Sequence, residues 1–219
     1  PPRQDDPSKP PSNLPPHYDD PSCERMIKTE KEESKCGLIK FSKEMRIVFC
    51  LDVTGSMGPY INAVRENIFD ISEAVSKMQG YSTQYGIVAY RDHPPQDLTF
   101  VVKSFPFTSD VKEVKDTLNE LYAQGGGDGP EAVEAGMQAC LNDFEWPDDA
   151  VKIVVLVTDA PPHGMGEMGD GFPNGAPTGV DPFQVADQMA ERGICIYSVG
   201  CENAIHNWQT AASFLVGIS

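Results

Sequence analysis

The sequence predicts an α/β domain built on a doubly wound, mostly parallel sheet with helices on both faces. Two runs with almost no polar interruption, Arg46–Leu51 (RIVFCL) and Val151–Thr158 (VKIVVLVT), are the first observation; amphipathic segments alternating with such runs are the second. A strand covered on one face alternates in hydropathy, whereas one covered on both reads as a continuous apolar run, the habit of parallel sheets with crossover helices. Length and composition agree, because 219 residues at 40% hydrophobic and 23% charged suffice for one medium domain with a real core and without disulfide staples.

The elements follow in order. Residues 1–21 contain eight prolines among polar residues, which blocks regular hydrogen bonding and offers little to bury, so they are expected to form a disordered leader. A Pro-rich ligand segment is the alternative there. Residues 22–43 hold good helix formers after Ser22 and are expected to form a polar helical lead-in. The domain proper is expected over 44–219. Its first strand, Arg46–Leu51, precedes a helix over Pro59–Met78, where Ile61, Val64, Ile68, Ile71 and Val75 recur at spacings of three and four.

Thr83–Arg91 and Leu98–Phe105 read as strands separated by the turn signal DHPPQD, and Ser109–Tyr122 as a helix with Val111, Val114, Leu118 and Leu121 on one face. After the glycine stretch 125–129, Pro130–Leu141 is expected to be helical with Pro in its first turn. The strand Val151–Thr158, a helix over Pro182–Arg192, a strand over Ile194–Val199 and a helix from near Ala204 complete the series. Met57, Met78, Met137 and Met189 are expected to fill the core, and Cys50 and Cys195 to be small buried hydrophobes.

Charge narrows the function. The formal net charge is -16; residues 1–45 hold 8 basic and 9 acidic side chains, leaving 9 and 24 for the rest. An acidic surface of this kind repels a phosphate backbone and anionic lipid, so neither nucleic acid nor membrane is an expected partner. No run of about 18 apolar residues occurs, so no membrane-spanning segment is expected. The six cysteines form no CxxC pair, which leaves the compartment open with a lean toward a reducing, cytoplasmic one.

In an open α/β sheet, ligands gather beyond the carboxyl ends of the strands. There the first strand runs into Asp52-Val-Thr54-Gly-Ser56, the glycine stretch ends in Asp128-Gly-Pro130-Glu131, and the strand 151–158 is followed by Asp159. Alone, Asp52 and Ser56 are also explained by helix capping. Carboxylates crowded at one edge, however, repel and rise in pKa unless a cation lies among them, and two hydroxyls with several carboxylates suit a hard, oxygen-seeking ion such as Mg2+.

DVTGSM after the first strand, GGGDGPEA and VKIVVLVTDA resemble the von Willebrand factor type A domain and its metal-ion-dependent adhesion site. YRDHPPQD, FPFTSDV, GGGDGPEAVEAG, TDAPPHG, GDGFPNG and YSVGCE, in that order, resemble more narrowly the type A domains that accompany some alpha-type protein kinases and their stand-alone relatives. The resemblance covers about residues 44–219 and implies a further strand and helix at the C-terminal end. It implies a non-enzymatic, adhesion-type protein-interaction module holding Mg2+ or Mn2+ through Asp52, Thr54, Ser56 and Asp159, with a partner's Asp or Glu completing the shell.

The family's usual second-loop threonine falls near Gly127, which has no side-chain oxygen. Asp128-x-Pro130-Glu131 resembles the matching loop of integrin beta subunits, which implies Glu131 as the replacement ligand and Asp128 as an alternate or second-metal ligand. The partner-facing rim is then expected at Gly55, Met57, Gly126, Gly127, Pro161 and His163. The alternative role is the regulatory domain of a longer alpha-type serine/threonine kinase, since no phosphate-cradling loop or catalytic lysine strand is recognisable here.

Gly164-Met-Gly166-Glu-Met-Gly169 matches a dinucleotide-binding pattern, but the prolines and glycines around it leave no following helix. Residues 160–180 are instead expected to form an ordered loop over the metal edge. His93, His163 and His206, with Asp92 beside His93, raise a zinc or metal-dependent hydrolase reading, which the absence of H-E-x-x-H and G-x-S-x-G disfavours; His163 is expected to shape the loop or lie exposed.

Overall fold

A computed structural model describes residues 43–201 and 204–219; the expected leader and residues 22–42 of the lead-in, with Cys23 and Cys36, lie outside the described residues. Five strands, β1 (Lys43–Asp52), β2 (Tyr81–Tyr90), β3 (Val102–Thr108), β4 (Val151–Thr158) and β5 (Ile194–Gly200), form one sheet in the order β3-β2-β1-β4-β5. β1 pairs in parallel with β2 and with β4, β4 in parallel with β5, and only β3 runs antiparallel. The chain lays strands outward on one side of β1 and then returns to its other side, so the crevice between the carboxyl ends of β1 and β4 is the topological switch point.

The helices are α1 (Ile61–Ser76), α2 (Val111–Glu120), α3 (Val133–Asn142), α4 (Pro182–Glu191) and α5 (Ala211–Ile218). β1 shows why its sequence is apolar throughout: Ile47, Phe49 and Leu51 pack into the α1 and α2 layer, while Val48 and Cys50 pack into the α3, α4 and α5 layer. Fully burying such a side chain contributes about 1.5–3 kcal/mol, so both faces of this strand anchor the fold. Asp110 and Asp181 cap α2 and α4 by accepting from the amides of Lys112 and Phe183 at 2.8 and 2.9 Å. No helix among the described residues is long and apolar enough to cross a membrane.

Several boundaries differ from expectation for local reasons. The second hairpin strand begins at Val102, not Leu98, because Asp97 takes the amide and hydroxyl of Thr99 at 2.7 and 2.5 Å and holds that stretch as a turn. Pro130 lies outside α3, since Glu131 instead makes a parallel bridge with Pro162. The helix expected from Ala204 resolves into a 3-10 turn, Ile205–Asn207, and α5. Met57, Met137 and Met189 are fully buried, but Met78, beyond the end of α1, is 47% exposed. Cys195 is exposed rather than buried: with Tyr197 and Val199 it occupies the outer face of β5, which is open to solvent.

Candidate metal centre

The carboxyl end of β1 delivers Asp52 into a fully buried position, and the chain then turns through Thr54 and the single 3-10 turn Gly55–Met57. Asp52 Oδ1 accepts from the Thr54 amide at 2.9 Å and from Thr54 Oγ1 at 2.6 Å, and Asp52 Oδ2 accepts from Thr158 Oγ1 at 2.9 Å. Thr54 Oγ1 lies 3.1 Å from Ser56 Oγ, which donates to Asp159 Oδ1 at 3.0 Å. A continuous path of side-chain oxygens therefore crosses the switch point from the end of β1 to the end of β4.

Glu131 reaches this path from the second loop. Its amide donates to the Pro161 carbonyl at 3.0 Å, which stitches the second loop to the segment after β4. Glu131 is 3% exposed, and its Oε2 is buried with no hydrogen-bond partner. Burial, then the charges of Asp52, Asp92 and Asp128, push its carboxyl up to about 11. Burial and the Asp159 charge push Asp52 up to about 7, and burial raises Asp159. Each carboxyl is thus held where its charged form lacks compensation.

These residues fit a hard divalent cation. Every donor in the set is oxygen, and an orphaned, buried carboxylate oxygen is a cost that a coordinated ion removes.

The glycine loop is tightly packed. Gly125 and Gly126 have φ of 83° and 78°, and the loop is tied to the first one by Gly55 N–H to Gly125 O at 3.0 Å. Asp97 accepts the Gly126 amide at 3.1 Å. A Cβ at Gly127 would lie 2.7 Å from the Gln96 carbonyl oxygen, so a threonine there requires the backbone to move. Of the expected rim, Gly55 and Gly127 are exposed and Gly126 half-buried. Met57, Pro161 and His163 are buried, Met57 because it faces the α1 side of the core beside Cys201. These three therefore offer no side chain to a partner.

A second constellation lies at the end of β2. Asp92 is fully buried; its Oδ1 lies 2.8 Å from His163 Nε2 and accepts from the His93 amide at 2.6 Å. His163 Nδ1 donates to Asp170 Oδ1 at 2.7 Å, and Asp170 also accepts the amides of Gly164 and Phe172, both at 2.7 Å. Asp128 Oδ2 accepts the Gly171 amide at 2.5 Å, and His93 Nε2 pairs with Glu134 Oε1 at 2.6 Å. His163 is therefore neither exposed nor idle. Against the cost of its burial, hydrogen bonds to Asp92 and Asp170 hold its imidazole up at about 9.

Asp52, Thr54, Ser56, Glu131 and Asp159 are thus brought together, whereas Asp128 faces Asp92 and the loop. Sequence reasoning raised Asp92 only beside His93 and overlooked Asp170 as a partner of this edge. The signal for Asp92 was present: it lies two residues beyond the carboxyl end of β2. Trp208, unplaced by sequence, donates from its indole to the Asp159 carbonyl at 2.8 Å and packs against Gly129.

Fold and site together define an α/β domain with an oxygen-lined crevice at its strand ends. The chain belongs to the von Willebrand factor A domain family, whose sequence model matches residues 46–168. It is 30% identical over 162 residues to alpha-protein kinase vwkA of Dictyostelium discoideum, covering 72% of this chain and 25% of the kinase. It is 29% identical over 182 residues to an ariadne-like RING finger protein of Acanthamoeba polyphaga mimivirus, covering 79% of this chain and 17% of that protein. The chain thus spans a quarter or less of the length of these relatives.

Among solved structures, the pilus adhesin SpaC of Lactobacillus rhamnosus GG matches with a TM-score of 0.58 at 16% identity, over 81% of this chain and 27% of that one. Proximal thread matrix protein 1 of the mussel byssus matches at 0.54 and 15%, over 74% of this chain and 37% of that one. At such identities the likeness is one of fold. Domains of this family are generally non-enzymatic protein-interaction modules.

Proposed function

We propose that this domain is a divalent-metal-dependent protein-interaction module that holds Mg2+, or Mn2+ in its place, through Asp52, Thr54, Ser56, Glu131 and Asp159. The observation that carries this reading is the run of side-chain oxygens from Asp52 through Thr54 and Ser56 to Asp159 across the switch point, with Glu131 nearby on the second loop carrying a buried carboxylate oxygen left unpartnered. When bound, the ion neutralises these carboxylates and offers an open position to an Asp or Glu of a protein partner.

The chain's own residues prepare that position. Thr158 and the Thr54 amide fix the rotamer of Asp52, the Glu131 to Pro161 backbone bond fixes the second loop against the third, and the Trp208 indole steadies Asp159. Gly55 and Gly127 leave the rim low, so a partner's side chain approaches without a steric fence.

Calorimetric titration of metal-stripped protein tests the reading. Mg2+ is expected to bind once, Asp52→Ala to abolish the heat, and Glu131→Gln to weaken affinity at least tenfold. Binding unaffected by Asp52→Ala overturns the ligand set. A second reading, that the domain regulates an alpha-type kinase within a longer protein, is favoured by the 30% identity to vwkA. The open reading frame around these residues decides it, and a frame without a kinase domain removes it.

A further inference from the structure

We propose that Asp92, Asp128 and His163 form a second cation site, of mixed nitrogen and oxygen ligands, that takes a transition metal of the Zn2+ type and is oriented by Asp170. A carboxylate oxygen from each aspartate and a ring nitrogen of His163 lie within 4.8 Å of one another. An independent observation points to a ligand: Asp92, though fully buried, keeps Oδ2 without a hydrogen-bond partner, and Asp128 Oδ1 on the facing carboxyl is buried and unpartnered too.

Charge counting gives the same direction. Three carboxylates, Asp92, Asp128 and Asp170, surround a single imidazole, and no Lys or Arg among the described residues pairs with any of them. Asp170 itself is committed: it accepts two amides as well as the Nδ1 proton, so His163 is fixed with Nδ1–H toward Asp170 and Nε2 toward Asp92 Oδ1 at 2.8 Å. A carboxylate holding the far nitrogen of a histidine is the arrangement that orients and strengthens imidazole ligands in metal sites. Phe172 closes the apolar side, its ring edge-on to His163 at 4.9 Å between centroids, while half-buried Asp128 leaves an approach from solvent.

The nitrogen ligand decides the ion. Mg2+ and Ca2+ favour all-oxygen shells, as at the Asp52 centre, whereas imidazole with carboxylates suits Zn2+ and its neighbours. Glu131 lies close enough to Asp52, Asp92 and Asp128 for all three charges to act on its carboxyl. Because His163, Asp170 and Gly171 belong to the loop after β4, an ion here also pins that loop over the partner-facing edge.

The site is tested on metal-stripped protein carrying Asp52→Ala, so that loss of the Mg2+ centre and failure of this proposal read differently. Zn2+ is expected to bind with a stoichiometry of one in that background, and Co2+ in its place to give a visible d–d band. His163→Gln abolishes both signals, and Asp170→Asn, which touches no metal, weakens Zn2+ binding by about 10–100-fold. Should His163→Gln lose its fold by circular dichroism, Asp128→Asn, at a half-buried position, supplies the same loss. Zn2+ binding absent from the Asp52→Ala protein, or present and unchanged by Asp128→Asn, overturns the proposal.

Discussion

Gly127 shows how a single residue redirects a site. Gly127 has no room for a side chain, since a Cβ would meet the Gln96 carbonyl oxygen at 2.7 Å, and in the proposed site Glu131, four residues further on, supplies the oxygen instead. Restoring the hydroxyl is therefore expected to harm the protein. Gly127→Thr should cost about 1–3 kcal/mol through forced backbone movement, read as a lower midpoint in urea denaturation, and should weaken Mg2+ binding as the loop shifts. An unchanged midpoint with tighter Mg2+ binding would mean that the loop accommodates the side chain and that Glu131 is not the substitute.

Among the elements, helix starts aim the loops. α4 begins at the Asp181 cap with Pro182 in its first turn, closing the long segment that carries His163 and Asp170. Asp181→Ala is expected to cost about 1 kcal/mol, measured by chemical denaturation, because one orphan amide of the first turn loses its acceptor. A loss below a few tenths would show that Pro182 and packing of Val185 alone set the start. The same comparison shows what local sequence does and does not predict. Asp181 with Pro182 is a strong local signal and the helix starts where expected, whereas the Pro130 signal misleads because a tertiary bridge between Glu131 and Pro162 outbids it. β3 slips by several residues for a similar reason, its expected first turn being taken by hydrogen bonds to Asp97.

For the whole molecule, the formal charge of -16 is concentrated after residue 45 and partly gathered at one end of the sheet. Folding raises Asp52 from 3.8 to about 7 and His163 from 6.5 to about 9. Both groups bind protons more tightly folded than unfolded, so the stability each contributes is complete below its unfolded value and is lost as pH rises through its folded value. Metal-stripped protein is therefore expected to show a melting temperature that falls between about pH 4 and pH 9. Saturating Mg2+ should raise the temperature at pH 8 more than at pH 5, because a ligand of the native state stabilises by mass action and competes with protons. A melting temperature that climbs across this range would contradict the buried-carboxyl account.

The sequence by itself determined the class of fold, because strands apolar on both faces alternating with amphipathic helices admit few architectures, and it placed Asp52, Thr54, Ser56 and Asp159 beside strand ends as candidates for one site. Only the tertiary structure decided which loops meet. It turned Met57 and His163 inward, left Cys195 outward on β5, sent Asp128 to Asp92 and joined Asp170 to His163. The physical reason is separation along the chain: hydrogen bonds between residues about 70 and 100 positions apart, such as His163 to Asp92 and Ser56 to Asp159, leave no periodicity or spacing to read until the sheet brings their strand ends together.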